Sequence, residues 1–600
     1  MIDSKKGDHF IASSSLAAKM NRSMVSGFVA ILCLIKCILG DESVPYPEVE
    51  IESGRLVGVY GENRKGERYA EFLGVPYGHV EKRFDISTPP KAWTGVKNAT
   101  DSGPGCYRYG LVIPGVTGTE DCLTLNIYTP KIKKLNGTND LLPVMVWLTG
   151  GGFIDGSGGF YGGKYFMEQS IVLVTINYRL GAFGFLNAGV KSARGNQALK
   201  DIVLSLKWIQ KNIEAFSGDK NRVTIFGESA GGAAVSLLTG SPMAKGLFHG
   251  AILQSGTATC PYVMRAGDGI KDAKKLAAAV DCPSSNAEYL VECLRRIKPE
   301  TLAVMSVFVN EFGMDSSAIH MGPTIETYPG DADNSFLSEH PWTLLEKGDF
   351  NKVPIIIGFV AKETYGLAKA MVATSAKLKK LNSQFGRIAP SALLYHDTAE
   401  DPSIVTERIR QYYFNGSELT PSSGDDLERL ISDRSIIHCT RKVAAAYANF
   451  TTVYAFNYTK TEPLSAGTLG LAATKSEDEN LSPKLTGDRP PGHGDELQYL
   501  FEPRPPLDTF FQKITKDSKV FEFSKNFISL WTSFARDGKP GKLWDVKETE
   551  WTPLKPNMRQ EYLQINEDPE MLDVDQVFEN SWKFWDSLPL KEHGKKWAVE

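Results

Sequence analysis

Val223-Thr-Ile-Phe-Gly-Glu-Ser-Ala-Gly-Gly232 is the stretch that decides the fold of this 600-residue chain. Its first four residues make a short apolar run of the kind that forms a buried strand. The small-residue run Gly232-Ala-Ala-Val-Ser-Leu-Leu238 follows and favours a helix. Strand, Gly-x-Ser-x-Gly and helix in this order predict a nucleophile elbow that exposes Ser229 at the strand end. An inert serine in a glycine-rich turn is the alternative.

Apolar runs on both sides of this stretch indicate further buried strands. They cover residues 142–148, 171–178, 250–255 and 353–359, and continuous apolar character is typical of parallel strands. Helical patterns lie between and after them, over 202–216, 427–448 and 521–534. Strands that alternate with helices predict an α/β fold with a central, mainly parallel sheet flanked by helices.

The N-terminus reads as a targeting segment. Lys19 and Arg22 precede an apolar run over 25–35, and a polar stretch follows Gly40. This pattern predicts an N-terminal extension and signal peptide over 1–40, followed by a single domain over 41–600, and hence secretion through the ER. The run is too short to span a bilayer, although an uncleaved anchor is the competing interpretation. No span is expected in the mature chain.

Composition supports a secreted globular protein. Apolar residues make up 42% and charged residues 23% of the chain, and the net charge of −4 comes without the basic tract that nucleic-acid binding requires. Six Asn-x-Ser/Thr sequences are candidate glycosylation sites: Asn98, Asn136, Asn415, Asn449, Asn457 and Asn480. Six cysteines remain after the signal, and an oxidising compartment favours local pairs.

A serine nucleophile needs a base and an acid to orient that base, which follow in the order Ser, Asp/Glu, His on an elbow fold. Glu363 lies directly after a buried strand, where a loop carboxylate can reach the active-site face. His493 lies between two glycines and is the best base among the four later histidines, although a surface-loop histidine is the alternative. The others are His396, His438 and His593. Thr149-Gly-Gly-Gly-Phe153 follows a central strand, where an oxyanion-binding loop belongs.

Several motifs together resemble the carboxylesterase/cholinesterase family, the type-B esterases of the α/β-hydrolase fold. The resemblance runs from about Val49 to about Leu588. The motifs are Phe72-Leu-Gly-Val-Pro-Tyr77, Glu120-Asp-Cys-Leu-Thr-Leu-Asn126, Gly150-Gly-Gly-Phe153, Asn177-Tyr-Arg-Leu180, Gly227-Glu-Ser-Ala-Gly-Gly232 and His493-Gly-Asp-Glu-Leu497.

The resemblance implies roles for individual residues. Ser229 would be the nucleophile, Glu363 the acid and His493 the base, and the oxyanion N–H groups would come from Gly151, Gly152 and Ala230. It also implies structural ion pairs and disulfides. The expected ion pairs are Arg83–Glu120 and Arg179–Asp201; the expected disulfides are Cys106–Cys122 and Cys282–Cys293, with Cys260 and Cys439 free.

The chain departs from the family pattern at two positions. Thr149 stands where many family esterases have His before the glycines. Thr364 follows Glu363 where Gly is usual, which makes the backbone of that loop, and with it Glu363, the least secure part of the triad.

These observations predict a secreted carboxylic ester hydrolase that acts on a small-molecule ester and needs no metal or cofactor. A non-catalytic adhesion or ligand-binding protein with an esterase-like fold is the alternative; such family members typically lack the serine. The loop between Cys106 and Cys122 contains no tryptophan, whereas cholinesterases stack a quaternary ammonium on one there. A neutral ester is therefore expected, with Tyr262 lining the acyl side.

Overall fold

An 11-stranded sheet forms the centre of this computed structural model. The structure describes residues 46–111, 113–132, 140–264, 269–307, 309–310, 312–315, 318–326, 335–461, 489–544, 550–556 and 560–593. The expected signal peptide and two of the candidate glycosylation sites, Asn136 and Asn480, lie outside these residues. Residues 47–600 make one compact unit.

The strands of this sheet are numbered in chain order. They are β1 Val59–Glu62, β2 Arg68–Pro76, β3 Thr124–Thr129, β4 Leu142–Leu148, β5 Val172–Ile176, β6 Gly218–Glu228, β7 Gly250–Gln254, β8 Ile355–Val360, β9 Val453–Tyr458, β10 Glu561–Ile565 and β11 Glu570–Asp573. Their order across the sheet is β11-β10-β9-β8-β7-β6-β4-β5-β3-β2-β1. In this order, the six neighbouring pairs from β10-β9 to β4-β5 are parallel, and the four other pairs are antiparallel. This confirms the expected mainly parallel sheet.

The inner strands of the sheet are buried, except residues 219–222 of β6, because they lie between helices. The helices are numbered in chain order. They are α1 Gly181–Phe185, α2 Gln197–Asn212, α3 Ala230–Gly240, α4 Gly269–Ala279, α5 Ala287–Arg296, α6 Pro299–Met305, α7 Pro341–Lys347, α8 Tyr365–Met371, α9 Ser375–Ser383, α10 Phe385–Ala392, α11 Pro402–Phe414, α12 Gly424–Ser432, α13 His438–Ala448, α14 Leu497–Leu500, α15 Phe521–Asp537 and α16 Val574–Asp586. All seven residues of β4 are buried, as their unbroken apolar sequence predicts.

Short strands complete the described fold. Glu48–Ile51, Gly54–Val57 and Val96–Asn98 make a separate three-stranded sheet, and two-residue to four-residue strands pair elsewhere. These pairs are Arg108–Tyr109 with Val116–Thr117, Tyr161–Gly162 with Glu502–Pro503, Asn187–Val190 with Ala193–Arg194, and Val309–Asn310 with Gly313–Met314. No helix among the described residues is long and apolar enough to cross a membrane.

The helical region before β9 differs from its sequence pattern. One helix was expected over 427–448, whereas the structure has α12, a π-helical turn at Asp433–Ile437 and then α13. Two residues of this turn, Ser435 and Ile436, line the cleft that also contains Ser229. Helices α8 to α12 pack with α16 around an apolar cluster of their own, which includes Tyr395, Tyr413 and Trp585.

The two expected ion pairs fasten the loops that follow the strands. Arg83 Nε donates to Glu120 Oε2 at 2.8 Å, and Arg179 Nε donates to Asp201 Oδ2 at 2.7 Å. The second pair is almost completely buried. The structure also contains the expected disulfides Cys106–Cys122 and Cys282–Cys293.

The prediction that Cys260 and Cys439 are free is wrong. The structure joins them in a third disulfide, with their Cα atoms 5.1 Å apart although 179 positions separate them in the chain. Both residues are buried where the loop after β7 packs on α13. Disulfide pairing depends on this spatial proximity, which loop length in the sequence does not reveal.

One glycosylation prediction is also wrong. Asn457 lies inside β9 and is only 5% exposed, so a folded chain has no room for a glycan there. Asn98, Asn415 and Asn449 are exposed. The Asn-x-Ser/Thr pattern alone does not distinguish a strand in the middle of a sheet from a surface turn.

Candidate active site

Ser229 lies in a strained turn between β6 and α3. Its backbone has φ 58° and ψ −125°, in the positive-φ region that ordinary residues avoid. The turn leaves no space for a side chain at Gly231, because a Cβ atom there would lie 2.0 Å from the carbonyl oxygen of Leu148 on the neighbouring strand. Its backbone is held by a hydrogen bond from Ser229 N to Gln254 O at 2.8 Å. Such strain persists only where the surrounding structure imposes it, and it clusters at functional sites.

His493 and Glu363 are in direct contact beside this turn. His493 Nδ1 lies 2.6 Å from Glu363 Oε2, and the backbone N–H of His493 donates to Glu363 O at 3.1 Å. Glu363 is buried just after β8, and its second oxygen accepts from Val360 N at 2.8 Å. The structure thus brings together two residues that are 130 positions apart, as the sequence predicted.

The second ring nitrogen of His493 has a partner that the sequence analysis did not assign. Nε2 lies 3.0 Å from Glu228 Oε1, and no hydrogen bond joins the ring to Ser229 Oγ. Burial alone lowers the pKa of His493, but the charges and hydrogen bonds of Glu228 and Glu363 outweigh it and hold this pKa well above its ordinary value. The two carboxylates therefore favour the protonated, imidazolium form of His493.

A third carboxyl group, Glu496, lies fully buried near the other two. It accepts from Gln254 Nε2 at 2.9 Å, and Gln254 in turn accepts from Trp531 Nε1 at 3.1 Å. Burial and the charges of Glu228 and Glu363 raise the pKa of Glu496 to about 8, so it is largely protonated near neutral pH. Glu228 and Glu496 belong to the same two family motifs as Ser229 and His493, and this position is the only signal for them in the sequence.

The glycine loop after β4 lies against Ser229. A Cβ atom on Gly150 would be 3.1 Å from Ser229 Cβ, and Gly151 and Gly152 have φ values of 108° and 60°. Neither of these two glycines donates its N–H to another described residue. Ala230 is the first residue of α3, where a helix leaves its N–H groups without an intrahelical acceptor. The N–H groups of Gly151, Gly152 and Ala230 thus remain the candidates for binding an oxyanion.

These groups line one cleft of about 800 Å³. Its wall includes Ser229, Glu363, His493 and the glycine loop, and residues of the Cys106–Cys122 loop also line it. Arg108 of that loop stacks on Phe160 at 4.7 Å and lies 3.5 Å from Asp155. Clefts of this size bury most of a drug-sized molecule.

The two departures from the family pattern fit without strain. Thr364 has φ −118°, which any residue can adopt, and its N–H donates to Ser432 Oγ at 3.0 Å. A glycine is therefore not needed to place Glu363. Thr149 is buried, and its carbonyl oxygen accepts from Tyr178 Oη at 2.6 Å, which holds the start of the glycine loop.

Sheet topology, the strained serine turn and the strand-end positions of the other site residues define an α/β-hydrolase. A model of the carboxylesterase family matches residues 45–585. Venom carboxylesterase-6 of Apis mellifera is 32% identical over 582 residues, covering 95% of this chain and 99% of that protein. Esterase E4 of Myzus persicae is 31% identical over 545 residues, covering 88% and 92%. The chain therefore belongs to the carboxylesterase family and is a carboxylic ester hydrolase.

The fold has a solved counterpart. The crystal structure of juvenile hormone esterase from Manduca sexta, with OTFP covalently attached, matches 90% of this chain and 99% of its own with a TM-score of 0.75. The two sequences are 24% identical, so this likeness concerns the fold alone.

Proposed function

We propose that this protein is a secreted serine hydrolase that cleaves carboxylic esters through an acyl-enzyme intermediate. The observation that carries the proposal is the 2.6 Å contact between His493 Nδ1 and Glu363 Oε2 in the cleft that Ser229 also lines. A base oriented by a buried carboxylate, in a cleft that a serine also lines, is the arrangement that nucleophilic catalysis requires.

In the first half-reaction, Ser229 Oγ attacks the ester carbonyl and His493 Nε2 takes its proton. Glu363 holds the resulting imidazolium, and the N–H groups of Gly151, Gly152 and Ala230 stabilise the oxyanion. His493 then gives the proton to the leaving alcohol. In the second half-reaction, water repeats the attack and releases the acid. Neither half needs a metal or cofactor.

His493 must exchange one partner for another during this cycle. Its Nε2 faces Glu228 in the structure, and Ser229 must replace that contact before proton transfer. Catalytic hydrogen bonds often form only when substrate is bound. The raised pKa of His493 stabilises the imidazolium of the intermediate, but it also limits the fraction of neutral base at low pH.

Two features support secretion: the disulfides of the domain and the sequence of the N-terminus. The described domain contains three disulfides, which persist in oxidising compartments and are rare in the cytosol. The N-terminal sequence has the pattern of a signal peptide with a cut after Gly40. The exposed Asn98, Asn415 and Asn449 are the glycosylation sites that we propose. N-terminal sequencing of protein from the culture medium tests the cut.

Labelling with a fluorophosphonate tests the nucleophile. The parent protein should be labelled on Ser229, and Ser229→Ala should not be labelled. Ser255→Ala is the matched control, because Ser255 also stands at a strand end with positive φ but is fully buried and does not line the cleft. Folded parent protein that takes no label would instead support the adhesion or ligand-binding alternative.

A further inference from the structure

The loop that carries Glu363 is bound on both sides of this residue by one helix. Glu363 lies between β8 and α8, and its two neighbours in the chain, Lys362 and Thr364, both contact α12. Their partners on this helix are Glu428 and Ser432, which lie four positions and thus about one turn apart. We call these four residues around Glu363 the acid clamp.

The first arm of the clamp holds the backbone after Glu363. The N–H of Thr364 donates to Ser432 Oγ at 3.0 Å, and Thr364 Oγ1 lies 3.1 Å from the same oxygen. Ser432 Oγ in turn donates to Glu428 Oε1. Because a hydroxyl has a single proton, this bond to the carboxylate leaves the lone pairs of Ser432 to accept from the Thr364 N–H.

The second arm holds the residue before Glu363. Lys362 Nζ lies 3.0 Å from Glu428 Oε2, and the Glu428 side chain is almost completely buried. Burial and the charge of Glu363 raise the pKa of Glu428, whereas Lys362 and the Ser432 hydroxyl oppose this rise. These two partners therefore favour the carboxylate form of Glu428.

The carboxylate of Glu363 also has contacts of its own. Its Oε1 accepts from Val360 N at 2.8 Å, and its Oε2 lies 2.6 Å from His493 Nδ1. These bonds have the right geometry only while the backbone at Glu363 stays in place. Glycine, which is usual in the family at position 364, has no hydroxyl, so the side-chain contacts of Thr364 with α12 distinguish this chain.

We propose that Glu428 and Ser432 are positioning residues for Glu363. They act through the two neighbours of Glu363 in the chain, fix the backbone on both sides of the acid and so set its contact with His493. Neither positioning residue lines the cleft, so neither touches the ester. This inference rests on the proposed function, because it concerns the acid of the same site.

Ser432→Ala tests the first arm, because it removes the acceptor of the Thr364 N–H. A shift of about 1 Å in a catalytic group can lower the rate about a hundredfold, so kcat for an aryl acetate should fall about tenfold or more, with KM within threefold. Burial lowers the pKa of His493, and Glu228 and Glu363 raise it well above its ordinary value. A displaced Glu363 raises it less, so the acid limb of kcat/KM should move to lower pH. Loss of stability alone does not move this limb.

Glu428→Gln is the second variant, for the case that Ser432→Ala does not fold. It keeps the shape of the buried side chain, but its amide nitrogen must face either Lys362 or Ser432. Both of these partners are donors to Glu428 in the parent, so one arm of the clamp is lost whichever way the amide points. We expect kcat to fall at least threefold with KM within threefold.

Asp433→Asn is the matched control on the same segment. Asp433 directly follows Ser432 and is equally buried, but its carboxylate accepts from Tyr413 Oη of α11 at 2.8 Å. The substitution therefore changes a buried carboxyl next to the clamp without changing the clamp itself. Its kcat should stay within twofold of the parent, and its acid limb should stay in place.

Three results would overturn the proposal. The first is a kcat within twofold of the parent in both clamp variants, and the second is a fall in Ser432→Ala with the acid limb unmoved. The third is an equal fall in Asp433→Asn, which would mean that α12 acts through overall stability. A parent protein that hydrolyses no aryl ester and takes no fluorophosphonate would instead defeat the proposed function itself.

Discussion

The strand-end edge around Ser229 and the helical wall from α8 to α13 border the same cleft but are held in different ways. At the edge, short hydrogen bonds and glycine contacts fix each group, such as Val360 N to Glu363 at 2.8 Å. In the wall, side-chain packing and the Cys260–Cys439 disulfide set the shape. The edge therefore holds the groups that we propose as catalytic at fixed positions, whereas packing sets the shape of the wall that faces them.

The largest difference should appear when the edge loses its nucleophile. Ser229→Ala should lower kcat for a generic aryl ester about 10⁴-fold or more, because loss of a triad member removes the covalent route. The thermal midpoint should change little, since the Ser229 hydroxyl is not among the side chains that hold the fold. Activity of the purified variant within tenfold of the parent would contradict the proposed mechanism.

A disulfide of the wall should matter for stability rather than for chemistry. Removing Cys260–Cys439 as a double alanine variant should destabilise more than removing Cys282–Cys293. For sequence separations of 179 and 11, the chain-entropy model gives a difference of about 2.5 kcal/mol. Denaturant unfolding of the two variants measures it. Equal losses would show that the long loop adds nothing, and that packing alone places α13.

The edge should also respond to pH through Glu228. The base must be neutral to act, so the acid limb of kcat/KM follows the raised pKa of His493. Glu228→Gln removes a charge that raises this pKa, and the limb should therefore move to lower pH. Glu346→Gln is the control, because Glu346 is an exposed carboxylate that does not line the cleft. A limb that stays in place in Glu228→Gln would contradict this account.

The smallest effect should be on the preference between charged and neutral esters, at the part of the cleft that the Cys106–Cys122 loop lines. A choline ester should be favoured less than tenfold, about 1.4 kcal/mol, over its uncharged carbon isostere. A cation over an aromatic face contributes about 0.5 to 2 kcal/mol, but Arg108 already covers Phe160 and adds a like charge. Arg108→Gln removes this like charge and should raise kcat/KM for the choline ester relative to its uncharged isostere. A clear preference of the parent for choline would reveal a cation site elsewhere in the cleft.

The sequence predicts the edge better than the helical wall, and the reason is physical. The edge is built from Gly-Glu-Ser-Ala-Gly, the glycine loop and the sequence around His493, where a few adjacent residues set the backbone conformation. Strand periodicity placed these motifs at one end of a parallel sheet. Glu228 was visible in the same motif, but its contact with His493 Nε2 depends on two side chains 265 positions apart meeting in space.

The sequence by itself determined the α/β class, the chain order of the residues that we propose as nucleophile, acid and base, and two short-loop disulfides, because each depends on local pattern or on short separations. Tertiary structure alone decided that Cys260 meets Cys439, that Asn457 lies buried in β9, and that a π-helical turn interrupts the helix expected over 427–448. It also brought Pro261 and Tyr262 together with residues between 312 and 435 around one apolar cavity. Packing of distant segments follows from the whole fold, and no local periodicity encodes it.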